Sequence, residues 1–127
     1  MEHVTKFTRQ SVLVVDAEEL ILTFLTYALT DQGFQVWTCR TGTQAAEILR
    51  EHGSEFGVAL VDVGEGANNV RTIRTCAPHL PCCAMSAVLS GSDEAELREL
   101  GVAAILPKPF RLENCLHILR SIALVAK

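Results

Sequence analysis

The stretch SVLVVDAEEL, residues 11–20, decides how the rest of the chain is interpreted. Its apolar run Val12–Val15 is short, continuous and rich in β-branched residues, which is typical of a strand buried on both faces. The run ends abruptly at Asp16, and from Glu18 onward apolar residues recur at three- and four-residue steps, as in a helix. This order predicts a βα unit with a carboxylate at the end of its strand.

Short apolar runs alternate with helical patterns along the whole chain. Strands are predicted at five runs: 12–15, 34–39, 57–63, 82–87 and 103–106. Helices are predicted at five patterns: from Glu18 to a stop at Gly33, 43–50, 70–75, 93–100 with Ser92 as N-cap, and 112–126. The alternation predicts an α/β fold with a parallel sheet covered by helices on both faces. We expect an N-terminal leader, residues 1–10, and one domain, residues 11–127.

The composition excludes several classes of protein. The chain has 127 residues, 49% of them hydrophobic and 20% charged, which argues against a disordered or fibrous chain. A net charge of −4 disfavours nucleic-acid binding, which needs a basic face. No apolar window reaches the roughly 18 residues of a membrane span, and residues 1–10 lack a signal-peptide core. With 5 cysteines and no CxxC pair, reduced core thiols and a cytoplasmic location are predicted.

Polar residues fall at the ends of four predicted strands. In an open parallel sheet, ligands bind beyond the carboxyl ends of the strands. The residues delivered to that edge are Asp16, Asp62, Ser86 and Lys108. Singly, each has an ordinary explanation as a helix cap, a turn residue or a solvated charge, although Asp62 lies in an apolar strand where an unpaired carboxylate is costly. Together they predict a site for a phosphate-sized group.

Four motifs at these positions resemble the receiver domain of two-component response regulators. They are VLVVD (12–16), VALVDV (58–63), AMSA (84–87) and ILPKPF (105–110), of which the Lys-Pro-Phe triplet is the most specific. The resemblance covers residues 11–125. It implies a flavodoxin-like, doubly wound (βα)5 fold of the CheY-like type, with a five-stranded parallel sheet in the order 2-1-3-4-5, and this agrees with the predicted alternation.

The resemblance implies a role for each residue that would act on the phosphoryl group. Asp62 would accept it from a histidine kinase as an aspartyl phosphate, and Ser86 would donate a hydrogen bond to a phosphoryl oxygen. The ammonium of Lys108 would neutralise another, aimed by a cis peptide bond at Pro109. Phosphoryl transfer depends mainly on such positioning and charge neutralisation.

The resemblance also implies a Mg²⁺ ion held by Asp16, Asp62 and the backbone carbonyl of Gly64. Receiver domains usually carry two adjacent acids after the first strand, but the second position here is Ala17. Alanine offers no oxygen to a cation that prefers octahedral oxygen ligands, so weakened binding is expected. Glu18 is an alternative ligand, but we expect it in the first helical turn, where the helix dipole favours an acid.

Two further positions depart from the family pattern. The segment VGEGANNVRTIR after Asp62 is shorter than usual, so the third helix must start early or be short. Gly64 and Gly66 either bring backbone amides to a phosphoryl group or belong to a trimmed loop. On the fifth strand, Ile105 replaces the usual aromatic residue, which predicts an altered switch.

The resemblance implies a phosphorylated signalling switch with at most slow autophosphatase activity, and not an enzyme. Its partners would be a sensor histidine kinase or phosphotransfer protein, and an output domain or partner protein. The fourth helix, fifth strand and fifth helix would form the switching surface and a homodimer contact. One alternative is a pseudo-receiver that binds proteins independently of phosphorylation. A flavin or nucleotide binder is disfavoured, because the acidic segment DAEEL would repel a phosphate and no GxGxxG motif occurs.

Overall fold

The computed structural model describes residues 11–64, 67–87 and 91–125. The strands in these residues are β1 (Ser11–Val15), β2 (Gln35–Cys39), β3 (Phe56–Asp62), β4 (Cys82–Ser86) and β5 (Ala104–Pro107). The α-helices are α1 (Glu19–Asp31), α2 (Gly42–His52), α3 (Asn68–Cys76), α4 (Gly91–Glu99) and α5 (Leu112–Val125), and a short 3-10 helix covers Gly53–Glu55. The predicted leader and Gly66 lie outside the described residues.

The sheet is parallel and its strand order is β2-β1-β3-β4-β5, as predicted. The register aligns the carboxyl ends of the strands. Val15, the last residue of β1, pairs with Val61 of β3, and Asp62 pairs with Met85 of β4. The residues that follow these ends therefore meet at one edge of the sheet.

Helices cover both faces of the sheet, so β1 is buried throughout. Leu13 and Val15 point into one core cluster, which includes apolar residues of α2 and α3. Val12 and Val14 point into the other, which includes apolar residues of α1 and α5. Burial on both sides explains why the strands are continuous apolar runs rather than alternating patterns. No helix in the described ranges is long and apolar enough to cross a membrane.

Helices α1 to α4 each start one or two residues away from the predicted position, and α2 and α4 illustrate this. The second helix starts at Gly42 rather than one residue later, because the Thr41 hydroxyl accepts a hydrogen bond from the Gln44 N–H (3.1 Å) and caps it. The fourth helix starts at Gly91, so Ser92 lies inside its first turn and is not the N-cap. Both errors concern helix termini, which depend on local side-chain contacts more than on apolar periodicity.

Candidate functional site

The ends of β1, β3 and β5 bring two carboxylates and one ammonium together. Asp16 follows β1, Asp62 ends β3 and Lys108 follows β5. The Lys108 Nζ donates hydrogen bonds to Asp16 Oδ2 (2.7 Å) and to Asp62 Oδ1 (2.9 Å). The structure therefore assembles three of the residues predicted at this edge into one hydrogen-bonded cluster.

The members of this cluster differ in their access to solvent. The side chain of Asp16 is 0% exposed, that of Lys108 is 11% exposed and that of Asp62 is 22% exposed. Asp16 is held twice, since its Oδ1 also accepts a hydrogen bond from the Glu18 N–H (2.8 Å). Of the two carboxylates, Asp62 is the one that an external reagent can reach.

The environment of Lys108 favours its charged form. Burial alone would lower the pKa of Lys108, but its hydrogen bonds to Asp16 and Asp62 and the charges of these carboxylates outweigh burial. The pKa of Lys108 is therefore raised above its ordinary value of 10.5. At neutral pH the ammonium is available to neutralise negative charge at this edge.

The end of β4 fixes the backbone of Lys108. The Lys108 N–H donates to the Ser86 carbonyl oxygen (2.7 Å), and Ser86 pairs with Pro107 in the sheet. Ser86 is buried and lies at the same edge as the carboxylate pair. The Lys108–Pro109 peptide bond is cis, as expected.

The loop after Asp62 lies close to its carboxylate. A Cβ atom on Gly64 would lie 3.4 Å from Asp62 Oδ2, so glycine leaves space beside the carboxylate that a larger residue would narrow. The helix that follows, α3, starts at Asn68 and has 9 residues, which agrees with the expected shortening.

Asn69 connects this loop to its surroundings, although no sequence motif pointed to it. Its Nδ2 donates to the Asp62 backbone carbonyl (3.4 Å), and its Oδ1 accepts from the Gly42 N–H (2.9 Å). A Cβ on Gly42 would lie only 2.8 Å from that Oδ1, so glycine is needed for this close approach. The only available signal was a pair of asparagines shortly after the third strand.

Arg40 holds the loop between β1 and α1 and was also missed. Its Nη1 donates to the Ala17 carbonyl (3.1 Å), and its Nη2 forms an ion pair with Glu19. Arg40 directly follows β2, which neighbours β1 in the sheet, so a basic residue at that strand end was a usable signal.

The expected place of Glu18 is wrong. Helix α1 starts at Glu19, which is the acid in its first turn, and Glu18 is the N-cap residue. The Glu18 side chain makes no capping hydrogen bond. Its Oε1 lies 3.4 Å from Lys108 Nζ, so this carboxylate faces the cluster.

The donor set at this edge suits a hard cation in kind but is short in number. Asp16 and Asp62 supply carboxylate oxygen atoms, which Mg²⁺ prefers, whereas Ala17 supplies none. Among the described residues, no group of three or more His, Cys, Asp or Glu side chains is arranged to hold a metal ion. The two carboxylates are thus of the kind that Mg²⁺ accepts as ligands.

Ile105 lies on β5, at the position where the resemblance predicts an aromatic residue. Ile105 is half-buried and packs against the core cluster on the side of α2 and α3. A branched aliphatic side chain has no hydroxyl, so this position cannot form the hydrogen bond that an aromatic tyrosine would provide.

Comparison with known proteins identifies relatives of this chain. The chain is 32% identical over 114 residues to the transcriptional regulatory protein KdpE of Mycobacterium tuberculosis, covering 87% of this chain and 49% of that protein. It is 28% identical over 87 residues to the transcription factor SKN7 of Chaetomium thermophilum, covering 65% of this chain and 11% of that protein. The chain therefore spans half or less of the length of these relatives.

A solved structure supports the fold independently. The CheY-like response regulator receiver domain protein of Methanospirillum hungatei superposes with a TM-score of 0.85 at 18% identity, covering 93% of this chain and 96% of that one. Residues 12–120 match the family profile described as response regulator receiver domain. With its strand order and its cluster of Asp16, Asp62 and Lys108, this chain belongs to the response regulator receiver domain family of two-component systems.

Proposed function

We propose that this receiver domain is a phosphoacceptor switch in which Asp62 takes a phosphoryl group from a histidine kinase or phosphotransfer protein. The observation that carries the proposal is the difference within the carboxylate pair. Asp62 is 22% exposed and hydrogen-bonded to Lys108, whereas Asp16 is 0% exposed. The reacting carboxylate must be reachable by a donor and must lie beside a positive charge, and Asp62 meets both conditions.

The transfer uses the chain's own groups as follows. A carboxylate oxygen of Asp62 forms a bond to phosphorus while the bond from phosphorus to the donor's imidazole nitrogen breaks, and its electron pair stays on that nitrogen. Lys108 neutralises negative charge on the phosphoryl oxygens, and Ser86 donates a hydrogen bond to one of them. Hydrolysis by water would later release phosphate and restore the Asp62 carboxylate. We expect this autophosphatase activity to be slow, so that the domain acts as a switch rather than as a metabolic enzyme.

Mg²⁺ is the proposed cofactor, with weakened affinity. Asp16, Asp62 and the Gly64 carbonyl would hold it, and Ala17 leaves it one carboxylate short. When bound, the cation supplies charge neutralisation at the phosphoryl oxygens. In the same reaction Asp16 holds its place through two hydrogen bonds, to Lys108 and to the Glu18 N–H.

A second candidate function is that of a pseudo-receiver, which binds partners without phosphorylation. Ala17 favours it, because the cation site lacks an acid. The ammonium of Lys108 also already bridges Asp16 and Asp62, so the edge is neutralised in part without any metal. The partly exposed carboxylate of Asp62 favours the phosphoacceptor, since a purely structural edge has no need of a carboxylate that solvent can reach.

The test is phosphorylation by a small donor. We expect the full chain, incubated with acetyl phosphate or phosphoramidate and Mg²⁺, to gain one phosphoryl group in intact-mass spectra, and hydroxylamine to remove it as expected for an acyl phosphate. Asp62→Asn should abolish the gain. Asp31→Asn, the same change at the exposed end of α1, is the matched control and should retain it.

A gain that persists in Asp62→Asn would contradict the assignment of the acceptor. The absence of any gain at every Mg²⁺ concentration tested would contradict phosphoacceptor function and favour the pseudo-receiver. Far-ultraviolet circular dichroism of each variant establishes that a missing gain does not reflect an unfolded protein.

The wider setting of the domain is also a proposal. We assign residues 1–10 to a leader and 11–127 to the receiver domain, with an output domain or partner protein that responds to α4, β5 and α5. The same surface would form any homodimer. The two curated relatives are named as a transcriptional regulatory protein and a transcription factor, which supports a regulatory output but not direct nucleic-acid binding by this acidic chain. All five cysteines are free thiols, which supports a cytoplasmic location.

A further inference from the structure

The Lys108 ammonium marks a point on which three carboxylates converge. Its Nζ lies 2.7 Å from Asp16 Oδ2, 2.9 Å from Asp62 Oδ1 and 3.4 Å from Glu18 Oε1. Asp16 and Asp62 are the pair proposed to hold the divalent cation. The third carboxylate, from Glu18, stands one residue beyond Ala17, the position that lacks an oxygen.

Glu18 does not behave as an ordinary residue at a helix start. It occupies the N-cap position of α1 with extended backbone angles (φ −88°, ψ 116°), yet its side chain makes no capping hydrogen bond. Its N–H is bonded to Asp16 Oδ1 at 2.8 Å, which fixes its backbone to the site. Its carboxylate turns toward Lys108. Because this side chain is 69% exposed, water has access to it.

The neighbouring acid, Glu19, has a different partner. Glu19 lies in the first turn of α1 and forms an ion pair with Arg40, whose guanidinium also binds the Ala17 carbonyl (3.1 Å). Glu19 therefore supports the loop and the helix start, and it leaves Glu18 free of that structural role. Glu18 and Glu19 are almost equally exposed, at 69% and 68%, yet they face different partners.

We propose that Glu18 takes the place of the acid that position 17 lacks and holds the divalent cation of the Asp16–Asp62 pair through a bridging water. The proposal rests on the proposed function in taking this pair as the cation site. Mg²⁺ usually keeps several waters and needs only one or two direct carboxylates, so a third acid can act through one of these waters.

The experiment measures divalent affinity on the unphosphorylated full chain, by titration with Mn²⁺ and detection of the free ion by electron paramagnetic resonance. We expect Glu18→Gln to weaken Mn²⁺ binding about threefold to tenfold. Asp31→Asn removes the same charge at the exposed end of the same helix and is the matched control, with unchanged affinity expected. Equal losses in the two variants would overturn the proposal, because they would reflect general electrostatics only.

A second background separates ligation from an effect on folding. Ala17→Asp restores an acid at the missing position and should raise Mn²⁺ affinity, and Glu18→Gln added to it should then have little further effect. The same loss in both backgrounds would overturn the proposal. Uptake of a phosphoryl group by Asp62 with no effect of Glu18→Gln on affinity would sink this inference alone and leave the proposed function standing.

Discussion

The ends of β1 and β3 carry the same chemical group in two different settings. Asp16 at the β1 end is fully buried and accepts hydrogen bonds on both oxygens, from Lys108 and from the Glu18 N–H. Asp62 at the β3 end shares the same ammonium but is partly exposed, with a glycine beside it. We therefore regard Asp16 as a structural anchor and Asp62 as the reactive group. The two carboxylates differ in solvent access and in their number of hydrogen bonds, not in charge.

The largest expected effect on stability distinguishes these two carboxylates. Asp16→Ala removes two buried hydrogen bonds and leaves the Glu18 N–H without its partner, so we expect the free energy of unfolding to fall by about 3 kcal/mol. Asp62→Ala removes a partly exposed partner and also relieves repulsion between the two carboxylates, so we expect a change of less than about 1 kcal/mol. Urea unfolding of both variants at neutral pH measures the difference.

Equal destabilisation by the two substitutions would contradict the division into anchor and reactive group. Asp16→Asn is the conservative control, since an amide oxygen still accepts from the Glu18 N–H. We expect its stability to lie between those of the wild type and Asp16→Ala.

The sheet and its strand ends were predictable because they follow from apolar periodicity and from a topological rule. Short apolar runs specify buried parallel strands, and parallel strands end at the same edge, which placed Asp16, Asp62 and Lys108 together. The helix starts were less predictable. The local cap of Thr41 on the Gln44 N–H opens α2, but the bond from the Gly42 N–H to Asn69 Oδ1 joins residues 27 positions apart, and no local pattern encodes it.

The supporting residues of the site were missed for the same reason. Arg40 reaches the Ala17 carbonyl across 23 positions of sequence, and its role exists only once β2 lies beside β1. Glu18 was placed in the first helical turn because propensity favours an acid there, but Glu19 fills that position. A one-residue shift in a helix start therefore changed the assignment of a candidate ligand.

A smaller effect is expected from Lys108, which joins the two carboxylates. Lys108→Met should lower the free energy of unfolding by about 2 kcal/mol at neutral pH, because Asp62 can turn to solvent whereas Asp16 stays buried beside an apolar side chain. The pKa of Lys108 is raised in the folded state, so its contribution is complete below the ordinary pKa of 10.5 and is lost as pH rises through the folded value.

Urea unfolding of wild type and Lys108→Met over a pH series measures this contribution as the difference between the two curves. Burial raises the pKa of the Cys83 thiol from 9.0 to about 12, so both proteins lose stability as the unfolded thiol ionises, and this loss cancels in the difference. If the difference in the free energy of unfolding between wild type and Lys108→Met shrinks well below pH 9, the ion pairs of Lys108 do not account for it.

The smallest effect concerns access to Asp62 alone. Gly64 lacks a positive φ, so Gly64→Ala introduces no backbone strain, and its Cβ would lie in ordinary contact with Asp62 Oδ2 at 3.4 Å. We expect stability to change by less than about 0.5 kcal/mol and the initial rate of phosphoryl uptake from acetyl phosphate to fall about twofold to fivefold. Gly53→Ala, where a Cβ meets nothing within 4 Å, is the control and should leave the rate unchanged. An unchanged rate in Gly64→Ala would mean that the donor approaches Asp62 from the side away from this loop, and the openness of the β3 end would then have another cause.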